Sequence, residues 1–194
     1  MINQTNLNWT NMKTKQILIG TITLFVAVGL LSFKVITHAW NVNAKDAKIT
    51  FDMPNGKHNG TVGGLTSTFE FDPASPEKAV IKAIVQVSEL KADNEKLTEH
   101  LHSADFFDMA NHPTIEFTAE TVAKTDSGFV ATGKLHMRDS IRTVAVPFKF
   151  IQDGKKATFK GTMDIFAGDF GIGKKSDKGN DRVLVTIEVP VSEE

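Results

Sequence analysis

The chain has 194 residues, 22 Lys and Arg against 23 Asp and Glu, a formal net charge of −1 and no cysteine. It can therefore build no disulfide framework, no thiolate nucleophile, no cysteine metal site and no cysteine-linked lipid anchor. A nucleic-acid partner is excluded on charge, because phosphate binding needs a concentrated Lys/Arg face, and the one basic cluster, Lys174, Lys175 and Lys178, is diluted by Asp177 and Asp181.

Residues 1–39 differ from the rest. They hold Lys13, Lys15 and Lys34 and no acid; taking those three from 22 leaves 19 basic against 23 acidic residues over 40–194, a net charge of −4. From Ile17 to Phe33 the chain reads ILIGTITLFVAVGLLSF, uncharged and preceded by two lysines. This is the positive n-region and apolar h-region of a secretory signal, and Thr37-His38-Ala39 offers a cleavage site before Trp40. The run also reaches the lower edge of a membrane span, about 17–25 residues. No polar face interrupts it, which argues against a buried soluble helix. Residues 1–39 thus read as a signal peptide or an uncleaved membrane anchor. Either places residues 40–194 outside the cytoplasmic membrane, periplasmic or secreted in the first case and tethered in the second.

The rest is dominated by strands. Ile49–Met53, Phe69–Phe71, Ile115–Phe117, Phe148–Phe150, Phe159–Ile165 and Val183–Val189 alternate apolar and polar residues, so each has one buried and one wet face. Turn signals separate them at Pro54-Asn55-Gly56, Asp72-Pro73, Asp126-Ser127-Gly128, Asp153-Gly154 and Lys178-Gly179-Asn180. The spacing predicts eight strands, near 41–52, 58–71, 79–89, 114–123, 128–138, 142–151, 157–166 and 182–192. A helix interrupts them between the third and fourth. Asp93 can cap it, Leu97, Leu101 and Ala104 recur at helical spacing, and it ends near Asp105-Phe106-Phe107, before His112-Pro113. No βαβ rhythm appears, so the fold class is all-β and antiparallel. A domain of about 150 residues buries roughly 68–70% of its unfolded surface without disulfide or metal.

Strand parity gives an inward set: Ile49, Phe51, Phe69, Phe71, Ile115, Phe117, Val144, Val146, Phe148, Phe150, Phe159, Met163, Ile165, Val183, Val185 and Ile187. The chain has 14 Phe and no Tyr. A buried tyrosine hydroxyl needs a partner and phenylalanine does not, so this interior suits a greasy cavity. It equally suits a filled β-sandwich core, and an eight-stranded barrel accommodates either.

The motifs that could carry chemistry are weak. Asp169-Phe170-Gly171 spells a kinase triplet without the glycine loop, strand lysine or catalytic loop that give it meaning. Gly168, Gly171 and Gly173 lack dinucleotide spacing and read as a tight bend before the last strand. His100 and His102 point in different directions on a helix, and His58, His112 and His136 are scattered, so no metal site is expected. Glu116 and Glu120 fall on the wet parity of their strand. Arg138, Asp139 and Arg142 crowd a hairpin turn, either as a surface ion pair or as a rim for a polar head group. Asn59-Gly60-Thr61 fits a glycosylation pattern too common to carry weight. No Gly-x-Ser-x-Gly elbow occurs, and no catalytic residue is assigned.

Several segments together resemble the YceI-like domain family. They are Trp40-Asn-Val, Phe69-Glu-Phe-Asp-Pro73, Leu97–Phe107 as LTEHLHSADFF, His112-Pro-Thr-Ile-Glu-Phe117, Gly133-Lys-Leu-His-Met-Arg138 with Arg142 and Val146-Pro147, and Asp169-Phe-Gly-Ile172. The likeness covers roughly 40–192. Departures occur at Asp46-Ala47, Gly63-Gly64-Leu65, Lys91-Ala92 and Asp139, and they bear on the ligand more than on the fold. The resemblance implies an extended, eight-stranded, lipocalin-like barrel with an apolar tunnel for a polyisoprenoid or quinone tail. It implies carriage or storage without covalent chemistry, so no enzyme and no cofactor beyond that lipid. The ligand-binding residues it points to are Phe51, Phe69, Phe71, Phe106, Phe107, Phe117, Val146, Phe148, Phe150, Phe159, Met163 and Val185, with Phe106 and Phe107 as lid or mouth. The expected partners are an isoprenoid lipid, the membrane if the N-terminal segment stays uncleaved, and no nucleic acid; a homodimer is left open. The rival readings are a structural domain with a filled core and an enzyme acting on a lipid in the cavity.

Overall fold

The computed structural model describes residues 38–53, 58–173 and 181–193. The leader or anchor over Ile17–Phe33, the Pro54-Asn55-Gly56 turn, the Lys174, Lys175 and Lys178 cluster and the Lys178-Gly179-Asn180 turn lie outside them. Among the described residues no helix is long and apolar enough to cross a membrane.

The alternating runs form antiparallel strands: β1 (Ala39–Val42), β2 (Lys48–Asp52), β3 (Asn59–Val62), β4 (Thr66–Glu70), β5 (Val80–Gln86), β6 (Leu90–Ala92), β7 (Thr114–Thr125), β8 (Gly128–Met137), β9 (Ser140–Asp153), β10 (Lys156–Phe166) and β11 (Arg182–Glu193). Pairing runs β1–β4–β5–β7–β8–β9–β10–β11, and β11 returns to β1 through Trp40 opposite Glu193 and Val42 opposite Val191. Eight strands thus close into a barrel.

The first three expected strands are each broken in two. β1 and β2 pair along the same partner, β11, at residues 191–193 and 184–188. Between them the amides of Asp46 and Ala47 both donate to the carbonyl of Asn43, at 3.1 Å each. β3 and β4 are separated at Gly63-Gly64, where Gly64 takes φ 67°, a left-handed angle that glycine adopts without strain. β5 and β6 are separated by a single 3-10 turn, Val87–Glu89. The breaks lie side by side, because Gly63 accepts from Gln86 N at 3.2 Å and donates to Glu89 O at 3.1 Å. Beyond them β2, β3 and β6 continue the wall as a flap carried by β11.

The helix α1 (Glu95–His102) follows β6. Its cap is Asn94 rather than Asp93: the Asn94 side chain accepts from Leu97 N at 2.8 Å, and Asp93 instead accepts from the Asn94 amide at 3.0 Å. It stops at His102, short of Asp105, because Ser103 is extended and its hydroxyl donates to His100 O at 2.7 Å. The hairpin turns fall where expected, with Thr125 opposite Gly128 and Asp153 opposite Lys156. The β9–β10 ladder stops after Phe148, at Pro147, which has no N–H to contribute.

The inward set packs into two clusters along the barrel. One gathers Trp40, Phe69, Phe71, Phe129, Phe148 and Phe159. Phe71 is fully buried, with ring centroids of Phe129, Phe148, Phe150 and Phe159 between 5.0 and 5.5 Å away. These contacts are edge-to-face, the arrangement in which a positive ring edge meets a negative ring face. Trp40 joins through its indole N–H, which donates to Phe71 O at 2.9 Å. Phe71 N in turn donates to His38 O at 3.0 Å, so the sheet begins two residues before Trp40. The other cluster holds Leu135, Met137, Ile165, Phe170, Ile172 and Val185.

Removing the central ring leaves a void that its neighbours cannot collapse into. Phe71→Ala is expected to cost about 3–5 kcal/mol of folding stability in a urea titration. A loss below about 1 kcal/mol would mean that the ring cluster is not the packed end of the barrel.

Candidate functional site

The strand register stacks the inward side chains into layers. On β10 and β11, Phe159 faces Val189, Met163 faces Val185 and Ile165 faces Val183. On β7 and β8, Phe117 faces Leu135 and Ile115 faces Met137. Toward the Phe71 end the layers are closed by rings. Toward the other end they are built mainly from Val, Ile, Leu, Met and Ala, with Phe51 and Phe117 in the walls, and those side chains leave a cavity of about 390 Å³. That lies within the roughly 300–1,000 Å³ of small-ligand pockets. Ile49, Ala83, Phe117, Met163 and Ile187 line it and also pack against the ring cluster, so its floor is the top of the packed half.

One wall depends on Gly60. Its position opposite Phe51 lets the Phe51 ring lie across β3; a Cβ there would sit 2.5 Å from the ring and 2.2 Å from Lys91 O. The mouth is formed where β8 and β10 end and β11 begins. The loop after α1 brings Phe106 and Phe107 there and is held by its own backbone: Phe107 N donates to Leu101 O at 2.9 Å and Asp108 N to Ser103 O at 2.9 Å. Across from it, Ala167–Phe170 makes a 3-10 turn that ends in Gly171 at φ 71°. The glycine-rich bend expected before the last strand is this turn. Arg138, at φ 52°, clamps the two sides, its Nη1 donating to Phe106 O and, at 3.0 Å, to Gly171 O. Arg138 is thus tied to backbone carbonyls and forms no ion pair among the described residues. Asp139 faces His112 at 3.5 Å, and Arg142 donates to Ile141 O.

Of the residues proposed to bind ligand, Phe51, Phe106, Phe107, Phe117, Met163 and Val185 line the cavity. Phe69, Phe71, Val146, Phe148, Phe150 and Phe159 belong to the ring-packed half instead. Leu90, Leu101, Leu135, Met137, Ile172 and Asp181 also line the cavity and were not picked from the sequence. Leu135 and Met137 follow one parity along β8, so their signal was present. Asp181 is the one charged residue among the described lining residues; it is 6% exposed, and no described residue hydrogen-bonds to either of its carboxylate oxygens. It continues the inward parity of Val183, Val185 and Ile187, and its carbonyl accepts from Ala167 N at 2.8 Å.

The histidines do not converge. His100 packs against Phe106 with the rings tilted and centroids 4.3 Å apart, His102 Nε2 lies 3.0 Å from Leu90 O, and His58 and His136 are exposed. No group of three or more His, Asp or Glu among the described residues could hold a metal. Glu120 sits at a β-bulge, 3.8 Å from Lys134, and Glu116 accepts from the Thr114 hydroxyl at 3.1 Å.

A family model for the YceI-like domain matches residues 40–192. The chain belongs to the YceI-like family. The match spans the whole described barrel, from β1 into β11. A UPF0312 protein of Azotobacter vinelandii is 30% identical over 137 residues, covering 67% of this chain and 71% of that one. One from Photorhabdus laumondii is 25% identical over 139 residues, covering 66% and 71%. Among solved structures, Burkholderia cenocepacia BcnA superposes with a TM-score of 0.71 at 22% identity, covering 77% of this chain and 99% of that one. A polyisoprenoid binding domain from Saccharophagus degradans superposes with a TM-score of 0.59 at 8% identity, covering 81% and 99%. At such identities the shared feature is the fold. The YceI-like barrel of this chain is an eight-stranded, lipocalin-like one with a single inserted helix.

Val185 faces Met163 on one side and Phe51 on the other, with the void in front of it. Val185→Phe should therefore keep folding stability within about 1 kcal/mol. In a filled core the same change would cost about 1–3 kcal/mol, so a chemical-denaturation curve distinguishes a real cavity from a packed one.

Proposed function

We propose that this YceI-like barrel binds and carries one molecule of an isoprenoid-type lipid, a polyisoprenoid or a quinone tail, outside the cytoplasmic membrane. The observation that carries the reading is the cavity: 390 Å³ inside a closed barrel, walled almost wholly by hydrocarbon. Such a void is worth keeping only for an apolar guest, because water finds no partners there. Burying a chain in it is favourable by about 0.8 kcal/mol per methylene. The polyisoprenoid binding domain of Saccharophagus degradans, which shares the fold, supports an isoprenoid rather than another apolar ligand. Among the described residues the lining offers one carboxylate and no nucleophile paired with a base, which favours carriage over catalysis. The uncharged run Ile17–Phe33 behind Lys13 and Lys15 supports export or tethering.

Two measurements test this. The full chain, expressed with export, is weighed by native mass spectrometry and then extracted with organic solvent. A retained apolar species near one per chain is expected, and stripping it should lower the thermal midpoint, since a ligand present at 100 times its Kd contributes about 2.7 kcal/mol. A bare mass with no uptake of ubiquinone or polyprenol overturns the reading and leaves the structural domain. Titration with prenyl alcohols of increasing length should then tighten binding at least tenfold per added unit until the cavity is full, and level off beyond. Affinity independent of chain length would place the chain outside the barrel.

A further inference from the structure

We propose that Asp181 is the head-group acceptor of the cavity, selecting lipids that end in a hydrogen-bond donor, such as a hydroxyl, and rejecting anionic ends such as phosphate or carboxylate. This rests on the lipid-binding reading above and specifies the ligand's polar end. Asp181 is 6% exposed, and among the described residues neither of its oxygens has a hydrogen-bond partner. Buried polar side chains are overwhelmingly hydrogen-bonded, and an orphaned one needs an explanation in function or structure. A carboxylate facing hydrocarbon without a donor is among the costliest such groups. Arg138 does not serve it: its Nη1 donates to the carbonyls of Phe106 and Gly171, and its Nε makes no hydrogen bond among the described residues.

The position suits a head group. Asp181 lies beyond the Ile165–Val183 layer, at the end of the cavity away from the ring-packed floor, where Ala167 N donates to its carbonyl. A chain entering tail first would reach the floor at Phe117 and Met163 and leave its polar end level with Asp181. Acceptor oxygens there complement an O–H donor. They repel a second anion, because two negative charges in a water-poor site cannot both be satisfied. An ether of identical shape lacks the donor and leaves the carboxylate orphaned.

The test uses the full chain, delipidated, with farnesol, farnesyl methyl ether and farnesyl phosphate as probes, against Asp181→Leu and Asp181→Asn. The wild type should bind the alcohol at least tenfold more tightly than either the ether or the phosphate, as expected for a hydrogen bond to a charged group. Asp181→Leu should bind alcohol and ether equally and admit the phosphate better than the wild type does. Without lipid, Asp181→Leu should melt at or above the wild-type temperature, because it removes an unpartnered buried charge. Equal binding of alcohol and ether by the wild type overturns the head-group role while leaving lipid carriage standing. A lower melting temperature for both variants also overturns it, since Asp181 would then be held by a partner within the protein. Failure of all three probes to bind wild type and Asp181→Leu alike removes the carrier reading, and the head-group role with it.

Discussion

The barrel is divided by one packing choice. At one end the inward positions carry rings that converge on Phe71, and edge-to-face contacts fill the interior to the density of a solid core. At the other end the same parity carries mostly aliphatic side chains, with Phe51 and Phe117 among them, and these leave the centre of the barrel open. An eight-stranded barrel is just wide enough for either outcome. The packed half holds the wall in place so that the aliphatic half can stay empty. Closure of the ring passes through the packed half as well: β1 pairs with β11 beside Trp40, whose indole is tied to Phe71.

The empty half is shaped by backbone rather than by further packing. Gly63-Gly64, the Asn43–Ala47 segment and the Val87–Glu89 turn break three adjacent strands at one level, and the wall beyond them becomes the β2–β3–β6 flap. β6 pairs with β3 alone, and the chain departs there into α1. The mouth is then set by short polar contacts with backbone groups. Arg138 holds the loop that carries Phe106 to the turn at Gly171, two segments more than thirty residues from it in sequence. An arginine used this way satisfies carbonyls that would otherwise be orphaned at a loop junction, a structural role that a hairpin full of charge conceals.

Most of the fold could be read from the sequence because burial in a barrel has period two. The eight strands and all sixteen inward residues followed from that alternation, the hairpins at Asp126-Ser127 and Asp153-Gly154 from turn residues, and the helix between the third and fourth strands from the spacing of Leu97 and Leu101. What alternation does not carry is depth. Phe148 and Val185 share the inward parity, yet one packs against Phe71 and the other faces the void, because depth depends on the stagger between neighbouring strands. The twelve residues picked for a ligand therefore divide evenly between cavity and core. The breaks in the first three strands were only partly visible. Gly63-Gly64 is a bend signal, whereas Asn43–Ala47 reads like more strand, and the cap of α1 shifted by one residue because Asp93 and Asn94 are both good caps. Asp181 was legible in principle, one step of parity before Val183. It was set aside because it lies in a charged segment where an acid looks like solvent-facing dilution of lysines.

That acid also bears on why the cavity should be read as a site rather than as loose packing. A void left by imperfect packing has no reason to carry charge, and burying a carboxylate against hydrocarbon makes it less stable still. A barrel under selection for stability alone would place leucine at 181 and a larger ring at 163 or 185, gaining at both positions. This chain does neither. It keeps apolar walls, an aromatic floor and one acceptor at the mouth, in the order that a lipid with an apolar tail and a polar end would meet them. A single guest of that kind would fill the void and give the carboxylate a donor at once, and on the proposed reading this ties the shape of the cavity to the chemistry of its mouth.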